Sequence, residues 1–236
     1  MKIKTTGALG AVLLPMLLGS TAVWAAPAHK FMVSGLALKI SPAEKNDPVV
    51  SDNPLLPNPT GLDLGADSNT LPALGLTYWL MDNIVLETYL SVPSNHHIAI
   101  SGLEAYGING FNQAASADLM PVTVFAHYLY QIPDTRFTLT AGAGLIYAIF
   151  RNIKVDEKVL TQLDPTLKFE ANNSFGAALQ VGAFVDITPE IVARVSYSTM
   201  MFSADATVKT ATPFGNLTTS LTVDPDVFMA GVGYKF

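Results

Sequence analysis

Residues 137–150 read FTLTAGAGLIYAIF, and this stretch decides the fold. Phe137, Leu139, Ala141, Ala143, Leu145, Tyr147 and Ile149 share one side of a two-residue period. Thr138, Thr140, Gly142, Gly144, Ile146 and Ala148 share the other. Successive side chains of a strand point to opposite faces, whereas a helix repeats every ~3.6 residues, so the segment is a strand. It is also long enough to cross a bilayer, for which a tilted strand needs about 9–11 residues.

Working outward, the same period recurs. Residues 227–236 set Phe228, Ala230, Val232, Tyr234 and Phe236 against Met229, Gly231, Gly233 and Lys235. Residues 175–187 and 191–199 alternate in the same way. Four less regular segments, 31–40, 70–81, 84–92 and 118–131, complete a set of eight. The connections alternate too. Asp82-Asn83, Ile132–Thr135 and Thr188–Glu190 are tight, while 41–69, 93–117, 151–173 and roughly 203–222 are long and polar. Long structureless loops are rare in soluble domains, but tight periplasmic turns opposite long outer loops are the plan of an outer-membrane barrel.

Composition agrees. Half of the 236 residues are hydrophobic and only 14% are charged, against roughly a quarter in soluble domains. Mean hydropathy is +0.35, yet beyond residue 25 no run approaches the ~18 apolar residues of a spanning helix. A helical membrane protein and a disordered chain are both excluded. A barrel in lipid turns its apolar faces outward, which accounts for the excess. Tyr128, Tyr130, Phe137, Tyr234 and Phe236 fall at the periplasmic strand ends, where aromatic girdles collect.

Residues 1–25 read as a secretory signal peptide. Lys2 and Lys4 precede a short apolar stretch, and Val23-Trp24-Ala25 supplies small residues for cleavage after Ala25. Removing it takes two lysines and no acid, so the formal charge moves from −6 to −8. That acidity, with no basic cluster, argues against nucleic acid as a partner. Zero cysteines exclude disulfides, thiol nucleophiles, thiolate metal sites and a lipid-modified cysteine. The expected fold is all-β: an eight-stranded antiparallel transmembrane β-barrel over residues 26–236, with four long extracellular loops and three short periplasmic turns.

The chain resembles the OmpW family of eight-stranded outer-membrane barrels over nearly its whole mature length. The most specific stretch is Asp224-Pro225-Asp226-Val227-Phe228-Met229, running on to Gly233-Tyr234-Lys235-Phe236. Leu74-Gly75-Leu76-Thr77, then Asp82-Asn83-Ile84 with Glu87, is similar to the family's second hairpin. Pro93 with His97 and Ile98, Met120-Pro121 with Thr123, Gly142-Ala143-Gly144 with Tyr147, and Gln180-Val181-Gly182 follow in order. The first long loop departs from the family in its richness in proline. The resemblance implies a narrow barrel in a Gram-negative outer membrane, admitting small hydrophobic molecules through an apolar lumen with sideways exit into the lipid.

Parity gives that reading separate content. With Glu87, Arg194 and Lys235 assigned inward, Tyr89, Phe125, Leu129, Ile146, Phe150, Phe184 and Met229 also face the lumen. Six of these, Phe184 aside, are the expected hydrophobic lining. The alternative is that they simply fill a lumen just wide enough for side chains, in a structural, adhesion or receptor barrel. Pro93 and Pro121 lack the N–H that a ladder needs, so they mark either a lateral opening or the end of the hydrogen-bonded sheet. Tyr234 and Phe236 are the expected C-terminal signal, through which the barrel-assembly machinery engages the last strand. The lumen's charged set is expected to be Glu87, Asp186, Arg194, Lys235, and with them Lys39 and Arg136, mostly near the periplasmic end. That predicts a pocket open to the outside and sealed below.

Catalytic chemistry is not expected. His96 and His97 are adjacent, point to opposite faces, and lack a third metal ligand. His127 reads as a lumen residue rather than a general base. No spacing joins Ser101 and Glu104 to the histidines as a lipid-modifying site. Gly142-x-Gly144 lacks the third glycine and the helix of a nucleotide loop, so its expected role is to make room in the lumen. No cofactor or metal is expected. The expected partners are outer-membrane lipid and a hydrophobic solute.

Overall fold

In β1 (Phe31–Ser41), burial alternates strictly: Met32, Ser34, Leu36, Leu38 and Ile40 are buried, and the residues between them are exposed. The computed structural model describes residues 30–236 apart from 42–43, 47–48, 56–59, 108–109, 163 and 210–214. The expected signal peptide lies outside the described residues. Further strands are β2 (Glu44–Asn46), β3 (Val50–Ser51), β4 (Asp63–Ala66), β5 (Asn69–Met81), β6 (Ile84–Ser91) and β7 (Ser94–Ser101). There follow β8 (Phe111–Gln131), β9 (Phe137–Val155), β10 (Lys168–Ala171), β11 (Ser174–Asp186), β12 (Ile191–Lys209), β13 (Leu217–Val223) and β14 (Asp226–Lys235). Among the described residues the helical elements are one short α-helix, α1 (Glu157–Gln162), and a 3-10 turn at Leu103–Tyr106.

All wall pairings are antiparallel, and they close. The order β1–β5–β6–β8–β9–β11–β12–β14 returns to β1, so this closed path leaves no edge strand in the membrane wall. The wall is sheared. A row of paired residues leaving Lys235 passes through Met32, Thr77, Glu87, Phe125, Gly144, Ala178 and Met200. It meets the chain again at Pro225, ten residues from its start, because Met200 N–H donates to the Pro225 carbonyl. Such a narrow, staggered barrel has an interior that side chains can fill.

The outward faces carry Phe137, Leu139, Leu145, Val181, Val195, Tyr197, Phe228 and Val232, all exposed in the isolated chain. The aromatic rim is in place, with Phe31 against Tyr78 at 4.9 Å and Tyr234 against Phe236 at 5.0 Å between ring centres.

Two expectations are corrected. The long outer connections are largely ordered strand. β12 runs on to Lys209 with unbroken alternation, β8 begins at Phe111, β9 reaches Val155, and β13, β10, β7 and β4 extend the wall beyond the lipid-facing zone. Their buried positions are Ala204, Ala206 and Ala115 as often as large residues, so the sequence offers little contrast there. Lys39 faces outward, not into the lumen, and Arg136 is exposed in a periplasmic turn. Lys39 shares parity with Phe31 and Val33 near the outer end of β1, where its flexible stem carries the charge toward the interface.

Candidate functional site

Within the lipid-facing zone the lumen is divided into three levels. At the periplasmic end, the first inward residues of several strands, Met32, Trp79, Val85, Leu129, Phe184 and Val192, pack into an apolar floor. At the outer end, Leu36, Leu38, Leu71, Tyr89, Phe125, Ile146, Met200, Phe202 and Met229 form an apolar roof, with Leu119 and Phe150 packed on it. Between them runs a polar belt of Ser34, Thr77, Glu87, His127, Thr140, Gln180, Arg194 and Ser196, each buried.

The belt centres on a buried ion pair. Arg194 Nη1 donates to Glu87 Oε1, and Nη2 donates to Tyr89 Oη at 3.1 Å. Thr77 Oγ1 donates to Glu87 Oε1 at 2.7 Å, and Tyr89 Oη to Oε2 at 2.6 Å. Tyr89 Oη also lies 2.8 Å from the Gln180 side-chain amide. The guanidinium stacks 4.8 Å from the Phe184 ring centre. A buried pair holds only when its spare lone pairs and protons are also satisfied, and this carboxylate is met by three donors.

The expected lining is thus distributed unequally. Tyr89, Phe125, Ile146, Phe150 and Met229 belong to the roof, while Leu129 belongs to the floor. Tyr89 is also part of the belt, since its ring is in the roof and its hydroxyl in the polar network. Phe125, Ile146 and Met229 are 0%, 1% and 2% exposed, so this level is packed. Gly142 and Gly144 make room for neighbours. A Cβ on Gly142 would sit 2.6 Å from His127 Nδ1, and one on Gly144 2.6 Å from Phe125 Cδ1. Sequence reasoning put Glu87 and Arg194 inside but left them near the periplasmic mouth. The pair that does close that mouth is Lys235 with Asp186, at 2.7 Å. Beneath the floor a cavity of about 360 Å³ is lined by Trp79, Leu129, Phe184, Gln131, Asp186 and Lys235. No cavity was expected on that side.

The two prolines lie at one defect. β6 pairs β8 from Ile84↔Tyr128 to Tyr89↔Thr123, and β7 resumes the pairing at Ser94↔Leu119. Between these, four residues (Leu90, Ser91, Val92, Pro93) face three (Met120, Pro121, Val122) without a ladder. One extra residue in one strand is a bulge, which interrupts pairing and bends the wall. Thr88 Oγ1 donates to the Thr123 carbonyl at 2.7 Å below the defect. Above it, Asp118 accepts from Asn95 and from Asn152, each at 2.8 Å.

Outside the lipid zone the two adjacent histidines form part of a clamp. His96 is buried, its Nδ1 is 2.9 Å from the Asp67 carbonyl and its Nε2 2.9 Å from Ser94 Oγ. Asp67 accepts the His97 main-chain N–H at 2.9 Å and contacts His97 Nδ1 at 3.2 Å. Burial raises the Asp67 carboxyl, but hydrogen bonds from His97 and attraction to His97 and His96 outweigh it and hold the group below its ordinary value. Asp67, rather than Ser101 or Glu104, is what the histidines engage.

A closed antiparallel barrel, apolar outside and aromatic at its rim, is the form of an outer-membrane β-barrel. The OmpW family model matches residues 28–236, and the chain belongs to the OmpW family. Among solved structures, OprG from Pseudomonas aeruginosa is 21% identical with a TM-score of 0.78, over 89% of this chain and 97% of its own. Outer membrane protein AlkL in DMPC bilayers is 18% identical with a TM-score of 0.62, over 92% and 94%. Outer membrane protein W of E. coli is 25% identical with a TM-score of 0.54, over 89% and 98%. No curated protein matches the chain in sequence. The chain is therefore a multi-pass protein of a Gram-negative outer membrane.

Proposed function

We propose that the barrel passes small hydrophobic molecules from outside into the membrane through its wall, at the interrupted seam between β6–β7 and β8. The observation carrying this reading is the unpaired stretch 90–93 opposite 120–122, with Pro93 and Pro121 inside it. The seam lies beside the apolar roof and above the polar belt, so a greasy solute arriving from outside finds an apolar surface and a weak place in the wall at one height. Straight descent meets the Glu87–Arg194 network, which offers such a solute nothing. Tyr89, Phe125, Ile146, Phe150 and Met229 would line the approach, and Leu129 would lie below the barrier. Tyr234 and Phe236 we assign as the handle for the assembly machinery.

The packing of Phe125, Ile146 and Met229 favours a second reading, a filled barrel that serves through its ordered outer extensions as an adhesion or receptor surface. Uptake of pyrene into liposomes with and without the protein separates the two. Transport predicts faster uptake with the wild-type barrel and a several-fold loss when Val92 is deleted in Pro93→Ala/Pro121→Val, which brings the two strands into phase and restores the ladder. Equal uptake in wild-type and empty liposomes removes the transport reading. Unchanged uptake in that triple variant removes the lateral route.

A further inference from the structure

The belt is satisfied on one arc of the wall and starved on the other. On β1, β5 and β6, Ser34, Thr77, Glu87 and Tyr89 all have partners. On β8, β11 and β12, both ring nitrogens of His127, Nε2 of Gln180, and the hydroxyls of Ser196 and Ser198 are buried without a hydrogen-bond partner in the protein. These four residues are 2%, 2%, 4% and 0% exposed. Leaving one buried polar atom unpaired is costly, and a group of them on neighbouring strands calls for an explanation.

The register brings them together. Ser198 stands opposite Gln180, Gln180 opposite Gly142, and Gly142 opposite His127. Cross-strand neighbours on one face lie about 4.5–5.5 Å apart. Gly182, opposite Ser196, lets Ser196 and Thr140 close in. A Cβ there would lie 2.9 Å from Ser196 Cβ and 2.9 Å from Thr140 Oγ1. His127 Nε2 lies 3.5 Å from Glu87 Oε2 without making a hydrogen bond, a separation at which water bridges. The orphaned set is chemically mixed. The amide nitrogen only donates, the hydroxyls do both, and a neutral imidazole offers one donor and one acceptor. Water, which makes two to four bonds as donor and acceptor, answers all of them.

We propose that this arc is a water-binding site: ordered waters bridge His127, Gln180, Ser196 and Ser198 and tie them to Glu87, so the belt is a hydrated septum between two dry apolar levels. An apolar solute cannot replace the bonds of a held water, so the septum turns it back toward the interrupted seam. That second step rests on the proposed uptake function, whereas the water site does not.

Water-edited solid-state NMR of the full barrel in lipid bilayers tests the site. Magnetisation from water should reach His127, Ser196 and Ser198 several-fold faster than Ile146 and Met229 in the roof or Val192 in the floor. Transfer to His127 and Ser198 no faster than to Ile146 overturns the site. The double variant Ser196→Ala/Ser198→Ala gives an independent sign. If waters bridge the hydroxyls, Tm falls by roughly 2–4 °C for each one lost. If the hydroxyls are orphaned in a dry core, Tm rises, which also overturns the proposal. Routing is read by pyrene in His127→Leu/Gln180→Leu, which should reach a binding protein trapped inside the liposomes, while the wild-type barrel delivers it to the bilayer. Wild-type barrels that admit no pyrene yet show bound water would fail the uptake reading and keep the site.

Discussion

Strand β8 has two edges, and they behave differently. Toward β9 the ladder runs from Ala115↔Val155 to Gln131↔Thr138 with one irregularity, near Ser116, and Pro121 sits within it opposite Ala148. Toward β6 and β7 the ladder is sound up to Thr123, fails for three residues, and resumes at Leu119. The same proline is therefore tolerated on one side and lies in a break on the other. Pro121 alone does not open the wall. The break needs the extra residue on the facing strand and Pro93 at its far end.

The largest effect is expected where the sound part of that seam is fastened from inside. Arg194→Met strands the Glu87 carboxylate and should cost about 3–5 kcal/mol in urea unfolding, while adding Glu87→Met should recover most of it. If the single variant unfolds like wild type, the belt does not hold the lower seam. Next comes the closed edge. On Gly144 a Cβ would lie 2.6 Å from the Val124 carbonyl oxygen, so Gly144→Val should lose about 1–3 kcal/mol, whereas outward-facing Ala143→Val should be tolerated. Equal tolerance of both would mean that the β8–β9 seam is not tightly packed.

The open edge gives a smaller but more discriminating result. In Pro93→Ala/Pro121→Val, hydrogen exchange at residues 90–93 should slow only modestly, because the odd residue remains. Deleting Val92 in addition should bring the two registers into phase and protect the segment like its neighbours. Full protection in the proline double variant alone would make proline, not the bulge, the cause. The smallest effect concerns the outer clamp. The folded Asp67 carboxyl sits below its unfolded value near 3.8, so its contribution is complete above that value and is lost as pH falls through the lower folded value. Exchange at the His97 amide should accelerate in that acidic window and not between neutral pH and pH 5. Acceleration already at pH 5 would show that Asp67 does not hold the clamp.

Much of this was legible in residues 137–150 and 227–236, because a wall between lipid and a narrow lumen imposes opposite demands on alternate positions. Tight turns and the inward parity of Glu87 and Arg194 followed from the same rule. Their meeting did not, because parity states a face and not a height. The shear does that. Glu87 lies in a row with Phe125, and Arg194 in a row with Phe184 and Gly231, and only the ten-residue stagger sets them level. The break in the wall was half legible. Two prolines announced it, but a one-residue mismatch between facing strands has no signature in either strand alone. The outer extensions were hidden for a third reason. Many inward positions there are small, such as Ala115, Ala204 and Ala206, and contrast too little with their neighbours to announce a strand.

Closure through β1 and β14 has a kinetic consequence. Met32 pairs with Lys235, so the seam that removes the last raw edge joins nearly opposite ends of the described chain. Contacts of such long range are slow to form, and every partial sheet before them presents two strands ready to pair with anything nearby. The wall cannot be finished piecemeal. Until Phe236 bonds to Phe31 the protein is an open template for pairing.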